Sequence, residues 1–182
     1  MTEIAEIIMK LTPAMERYVL HWGEMGSRWG VNRSVSQIHA LLYLAARPMH
    51  AEEISETLNI ARSNVSTSLK ELQGWELVHL IHVLGDRRDH FEATHDLWEM
   101  LLTIANARKQ REIAPTLTTL RQCVLDGSEE NEIPAESLKR MQDMLDFITN
   151  LTNWYDQISR LPKETLIKIM KLGAKVAKFV GK

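Results

Sequence analysis

A mainly α (α+β) fold, built on a helix–turn–helix, a two-stranded hairpin and flanking helices, follows from three features of the sequence. First, His50–Glu76 carries two short apolar stripes separated by a tight turn. Ile54 and Leu58 make one stripe, and Val65, Leu69 and Leu72 the other, each at helical spacing. Second, Leu77–Leu84 and His90–Thr94 are rich in β-branched and apolar residues and flank Gly85-Asp86-Arg87-Arg88-Asp89. That is the pattern of a hairpin with a charged tip. Third, 8 Gly and 5 Pro stand against 9 Met and many Leu, Ile and Ala in 182 residues, so most of the remainder reads as helix. The organisation expected is a helix within 1–30, a winged helix–turn–helix domain over 31–96, and a helical dimerisation arm over 97–182.

Taken in order, Ile4, Ile7, Ile8, Leu11, Tyr18, Val19 and Trp22 make a helical stripe interrupted at Pro13. Thr12 can cap a restart with Pro13 at its first position, so a kink or break is expected there. His21–Asn32 holds Gly23, Gly26 and Gly30 around Trp29, which predicts a connecting loop with one packed tryptophan. The alternative is a hinge or pocket wall. Ser34-x-x-Gln37 has the form of a capping box before a core-facing stripe of Ile38, Leu41, Leu42 and Ala45. Ile60 falls in the turn of the helix–turn–helix, where it can plug the angle between the two stripes. In the hairpin, Phe91 and Ala93 alternate with His90, Glu92 and Thr94.

Beyond Thr94, Leu97, Leu101, Ile104 and Ala105 start a helix expected to reach about Ile113, with Pro115 as a kink or a new start. Asp126-Gly127-Ser128 reads as the close of that arm. Pro134 suits the first turn of a helix in which Leu138, Met141, Leu145, Ile148, Thr152 and Tyr155 recur at spacings of three and four. This is close to a coiled-coil seam, and its expected cover is a second copy of the chain. In a symmetric dimer, two recognition helices would lie about 34 Å apart, one DNA turn. Pro162 opens a last helix with Leu166, Ile169, Val176 and Val180 on one face and Lys163, Lys168, Lys171, Lys175, Lys178 and Lys182 making it basic. The seven acidic residues of 126–146 are one surface those lysines could face, and flanking DNA is another.

The exposed face predicted for the second helix of the helix–turn–helix carries Ser63, Ser66, Thr67 and Lys70, with Asn64 at its edge. Small polar side chains on such a helix suit a major groove. Asn64 is placed to read adenine, Arg62 and Lys70 to neutralise phosphates, and Arg87 to reach a narrow minor groove. Arg62, Ser63, Asn64, Ser66, Thr67, Lys70, Arg87 and Arg88 are therefore the candidate contacts to double-stranded DNA. Residues 28–94 carry seven basic and eight acidic side chains, so affinity must come from placement, with Glu52, Glu53 and Glu56 expected to turn away.

Glycine-rich phosphate loops, nucleophile elbows and paired acids are absent from the sequence, so no enzyme class and no cofactor is expected. No apolar run reaches the length of a membrane span. A lone cysteine, Cys123, and an acidic N-terminus fit a cytoplasmic protein without a signal peptide. His79 and His82 point to opposite faces of a strand and make a poor metal pair, although His79 and His90 could approach across the hairpin. The competing functions are a winged-helix module for protein partners, or a metal- or redox-responsive regulator.

The run from Gly30 to Met100 resembles the MarR superfamily of regulators, in particular its GbsR-like branch. The match rests on Asn64-Val65-Ser66-Thr67 with Leu69 and Leu72, on Leu77-Val78, and on Gly85-Asp86-Arg87-Arg88-Asp89. The resemblance implies a homodimeric DNA-binding repressor or activator, and an aspartate of the wing, Asp86, that orients Arg88. It also implies control by choline or a betaine-related effector. Trp22, Trp29, Tyr43 and Trp98 are the candidate ligand residues, since aromatic cages hold quaternary ammonium groups. Trp154 and Tyr155 are further aromatics of the same kind. The chain departs from the family at Ala61 and His50, where a Ser or Thr cap is usual, and at Gly74 and Glu76, where the closing glycine comes two residues early.

Overall fold

The computed structural model describes residues 9–129 and 133–180, with side chains described as far as Leu172. The stripe positions Ile4, Ile7 and Ile8 lie outside the described residues. Two units divide between Ile104 and Ala105, and no helix among the described residues is long and apolar enough to cross a membrane.

In the first unit, α1 (Pro13–Arg28) starts where the sequence places its restart. Thr12 caps it by accepting from the Met15 N–H, and Pro13 occupies the first turn. The glycines then depart from expectation. Gly23 and Gly26 lie inside α1 rather than in a loop, because α1 presses on α2 (Arg33–Leu44). A Cβ on Gly26 would stand 1.9 Å from Ser36 Oγ, and one on Gly23 2.6 Å from Gln37 Cγ. Close helix contact, not turn chemistry, selects glycine here. Trp29 caps the helix with 58% of its surface exposed, so the packed tryptophan expected there is not found. The predicted capping box is also replaced: Asn32 is the cap, accepting from the Ser34 N–H at 2.8 Å.

The helix–turn–helix is α3 (Ala51–Leu58) and α4 (Arg62–Gly74). Asn59 makes the turn in the left-handed region at φ 53°, a conformation asparagine tolerates. Ile60 packs against the core below it, and Ser55 Oγ donates to its carbonyl at 2.6 Å. His50 does cap α3, its Nδ1 accepting from the Glu53 N–H at 3.3 Å, whereas Ala61 gives α4 no side-chain cap. Ile38, Leu41, Ile54, Val65, Leu69 and Leu72 are almost wholly buried and knit α2, α3 and α4 into one core.

The sheet has one strand more than the hairpin. Strand β1 (Met49–His50) joins β2 (Val78–Ile81) and β3 (His90–Ala93) in the antiparallel order β1-β3-β2. Leu80 faces Phe91 and His50 faces His90 in register. Because β1 covers the far edge, His90 is as buried as Phe91 (6% and 8% exposed), and the simple alternation expected along β3 is lost.

In the second unit, helix α5 (Leu97–Arg108), which begins in the first unit, passes through a π-helical turn, Lys109–Ile113, into α6 (Ala114–Glu129). Pro115 follows directly on that turn, whose wider winding leaves room for its ring, and the chain continues in helix through it. Gly127 does not end the arm. It is buried within α6, where a Cβ would meet Leu138 at 3.1 Å on α7 (Ala135–Ser159). The predicted seam is half-buried throughout, but its cover includes α6 of the same chain. Lys109 pairs with Asp156, and Tyr155 donates to Asn106 Oδ1 at 3.0 Å. A second stripe, Met144, Phe147, Leu151 and Trp154, is left more than half exposed. Finally, α8 (Lys163–Val180) buries Leu166 but leaves Ile169 exposed; the side chains of Val176 and Val180 lie outside those described.

Candidate nucleic-acid interface

Helix α4 and the wing enclose a groove of about 320 Å³ whose wall includes Arg62, Ser66, Lys70, Gln73 and Arg88. The arrangement follows from helical pitch. Val65, Leu69 and Leu72 sink into the core, which turns Arg62, Ser66 and Gln73 toward the wing and leaves Ser63, Thr67 and Lys70 exposed. Three cations, Arg62, Lys70 and Arg88, line a single groove with two carboxylates, Glu52 and Asp89, although residues 28–94 are net acidic. Thr67 bonds back to the Ser63 carbonyl at 3.1 Å, which fixes its hydroxyl without burying it.

The loop of the wing is clamped from within. Asp86 accepts from Arg88 Nε on both oxygens at 3.0 Å, from Nη2 at 2.6 Å, and from the Arg88 backbone N–H at 2.9 Å. Hydrogen bonds from Arg88, side chain first and backbone second, hold the Asp86 carboxyl far below the ordinary carboxylate range. Gly85, at φ 87°, makes the turn that allows this approach. His90 supports the clamp from beneath, with Nδ1 3.0 Å from the Arg88 carbonyl and Nε2 3.6 Å from Asp86. Arg87 stays exposed at the tip and does not line the groove.

Two residues of this face have partners that the sequence does not show. Asn64 Nδ2 donates to Ser34 Oγ at 2.9 Å, and its Oδ1 accepts from Ser68 Oγ at 3.3 Å. Both ends of the exposed amide are engaged within the domain, so Asn64 braces α4 against the start of α2, and a bidentate contact to adenine would have to replace those two bonds. Glu52 does not turn away. It lines the groove and binds Arg62 Nε at 2.9 Å. Glu53 is buried and paired bidentately with Arg47, at 2.5 and 2.9 Å, while Glu56 is exposed. The sequence signal for Gln73 was available: it stands eleven residues after Arg62, three helical turns along the same face.

A second concavity, of about 140 Å³, lies between α1, α2 and the start of α5. Tyr18, Trp22, His39, Tyr43, Leu97 and Met100 line it. Of the four ligand candidates, Trp22 and Tyr43 are in its wall, whereas Trp29 and Trp98 are not. Tyr18 and His39 were not foreseen, although Tyr18 stands one turn from Trp22 and stacks on it at 5.7 Å. Burial pushes the His39 imidazole down to about 4, and its Nε2 meets no hydrogen-bond partner among the described residues. His79 bonds Thr94 Oγ1 at 2.9 Å rather than approaching His90, which instead meets His50 edge-on at 5.5 Å. No group of three or more metal-ligating side chains occurs among the described residues.

Comparison with known proteins agrees with this geometry. Residues 29–89 match the MarR family. The chain is 20% identical over 154 residues to the putative HTH-type transcriptional regulator YvaV of Bacillus subtilis (strain 168), covering 81% of this chain and 85% of that protein. It is 21% identical over 136 residues to the HTH-type transcriptional repressor GbsR of the same organism, covering 73% and 75%. A crystal structure of a transcriptional regulator shares the fold, with a TM-score of 0.62 at 16% identity, covering 81% of this chain and 96% of that one. The helix–turn–helix and wing are thus the part of the chain that matches the MarR family, over residues 29–89.

Proposed function

We propose that this chain is a transcriptional repressor that binds double-stranded DNA as a homodimer and is controlled by a small ligand. The observation that carries the reading is the joint placement of the exposed face of α4 and an Asp86-clamped Arg88 on one groove. Ser63, Ser66 and Thr67 would approach bases and backbone, Lys70 and Arg88 phosphates, and Arg87 the minor groove. The relative GbsR is a repressor by its description, which favours repression over activation. The exposed stripe of Met144, Phe147, Leu151 and Trp154 supports a second copy as partner, since such apolar faces are seldom left open to water. The concavity walled by Tyr18, Trp22 and Tyr43 is the proposed effector site. Its rings suit a quaternary ammonium such as choline or a betaine-related compound.

The test is a mobility-shift assay at physiological salt on genomic fragments, with choline added in parallel. Specific retardation supports the reading, while partner-protein binding insensitive to salt supports an interaction module instead. Arg87→Ala is expected to weaken binding to all sequences similarly and to lower the salt slope by about one. Unchanged binding would remove the wing tip from the mechanism.

A further inference from the structure

Arg62 is the first residue of α4, at the end of a recognition helix whose side chains reach base edges. Its surroundings differ from those of a phosphate contact. Nε donates to Glu52 Oε1 at 2.9 Å across the turn between α3 and α4. Glu52 in turn sits in the first turn of α3, two residues after the buried His50 that caps it. The hydrogen bond from Arg62 keeps the Glu52 carboxyl below its ordinary range, so the carboxylate persists through neutral pH.

An untethered guanidinium bonds whichever phosphate lies nearest. One held through Nε keeps its terminal amino pair for a second partner, and that planar fork matches the O6 and N7 acceptors of guanine. The anion itself is informative. Glu52 stands with Asp89 in the wall of a groove that also holds Lys70 and Arg88, where a negative charge opposes every duplex alike, and Glu52 is the one of the two bonded to Arg62. For phosphate binding a neutral residue would serve better. A carboxylate there lowers the affinity of all sequences and, through Arg62, returns it only to those offering a matching base, which is how discrimination arises.

We infer that Glu52 and Arg62 form a buttressed guanine reader, Arg62 contacting one guanine in each half-site and Glu52 acting as the positioning residue that sets this specificity. The inference rests on the proposal that α4 and the wing bind DNA. It is tested by enriching a random-sequence duplex library on the full-length chain and comparing the recovered motif with those of Glu52→Gln, Arg62→Lys and Arg62→Ala.

The wild type is expected to select guanine at one position per half-site. Glu52→Gln should flatten that position alone, with discrimination falling roughly ten- to a hundred-fold. Its affinity for non-specific duplex should hold or rise, because an anion has left the groove. Arg62→Lys keeps the charge and loses the fork, so it should flatten the same position while retaining the salt slope. The inference is overturned by an unchanged motif in Glu52→Gln. It is also overturned by an Arg62→Ala variant that weakens all sequences equally and lowers the salt slope by about one, the signature of a phosphate contact. A wild type that retains duplex but enriches no motif also overturns the guanine reader, whereas one that retains no duplex at all refutes DNA binding itself.

Discussion

Residues 35–93 gather fifteen apolar side chains into a single buried cluster, whereas among the described residues of 105–172 only Leu117 and Leu166 are buried apolar side chains. The first unit therefore closes its own core. The second is held by the α6–α7 contact at Gly127 and by polar ties, Lys109 to Asp156 and Tyr155 to Asn106. Its apolar surface points outward instead. The difference teaches that one chain holds two kinds of surface: a unit whose apolar side chains are gathered inside, and an arm whose stripe of Met144, Phe147, Leu151 and Trp154 is left exposed, the face proposed for a second copy. Substitutions on the two sides should accordingly be read by different instruments.

The largest effect is expected in the core. Leu69 is 2% exposed at the centre of the α2–α3–α4 packing, so Leu69→Ala should cost about 2–5 kcal/mol, measured by urea unfolding. Phe147→Asp is the counterpart on the arm, where 65% of the ring is exposed. It should leave the unfolding of the first unit nearly unchanged and convert a dimer to a monomer by light scattering. A monomeric wild type at micromolar concentration would break the proposed association, and a Phe147→Asp variant that lowers the stability of the first unit would break the comparison.

How far the sequence showed this contrast depends on where neighbours act. The stripes of α3 and α4, the wing tip and the Thr12 cap were legible because each is a local pattern with a local cause. The roles of Gly23, Gly26 and Gly127 were not. A glycine in a turn and a glycine under a crossing helix look alike until the second helix is placed, and here Ser36, Gln37 and Leu138 supply the reason. The partners of Asn64 and Glu52 were hidden for the same cause. Ser34 lies thirty residues from Asn64 in sequence, and Glu52 meets Arg62 only once the turn has folded back. The seam of α7 was read correctly as apolar, but its cover was assigned wholly to another chain, because nothing local shows that α6 returns along it.

A middling effect should come from pH, again confined to the first unit. His39 is buried, and its imidazole is pushed down to about 4 from a usual value near 6.5. As pH falls, the unfolded chain takes up this proton first. The contribution is therefore whole above about pH 6.5 and is lost progressively toward pH 4, amounting to at most about 3 kcal/mol. His39→Leu should remove this share of the acid sensitivity. The measurement is the difference in unfolding free energy between pH 7.5 and pH 5 for the two proteins, and equal differences would show that the buried imidazole is not the group that titrates.

The smallest effect sharpens the comparison by improving the first unit rather than damaging it. Helix α4 ends in a paired closing motif: the Glu76 N–H donates to the Gln73 carbonyl at 2.9 Å and the Leu77 N–H to the Leu72 carbonyl at 3.0 Å. Such an ending needs one left-handed residue, the position glycine ordinarily fills. Glu76 fills it at φ 58°, while Gly74, two residues earlier, lies within the helix with nothing within 4 Å of its missing Cβ. The glycine is thus on the wrong side of the helix end for stability. Glu76→Gly relieves the strained backbone, and Gly74→Ala restores helix propensity, each for about 0.5–1 kcal/mol. Together they should raise the melting temperature by a few degrees. Since Leu72 and Leu77 already bury the motif's apolar contact in the core, the gain should appear in the first unit and leave the association state untouched. A double variant no more stable than the wild type would mean that the left-handed glutamate is not strained.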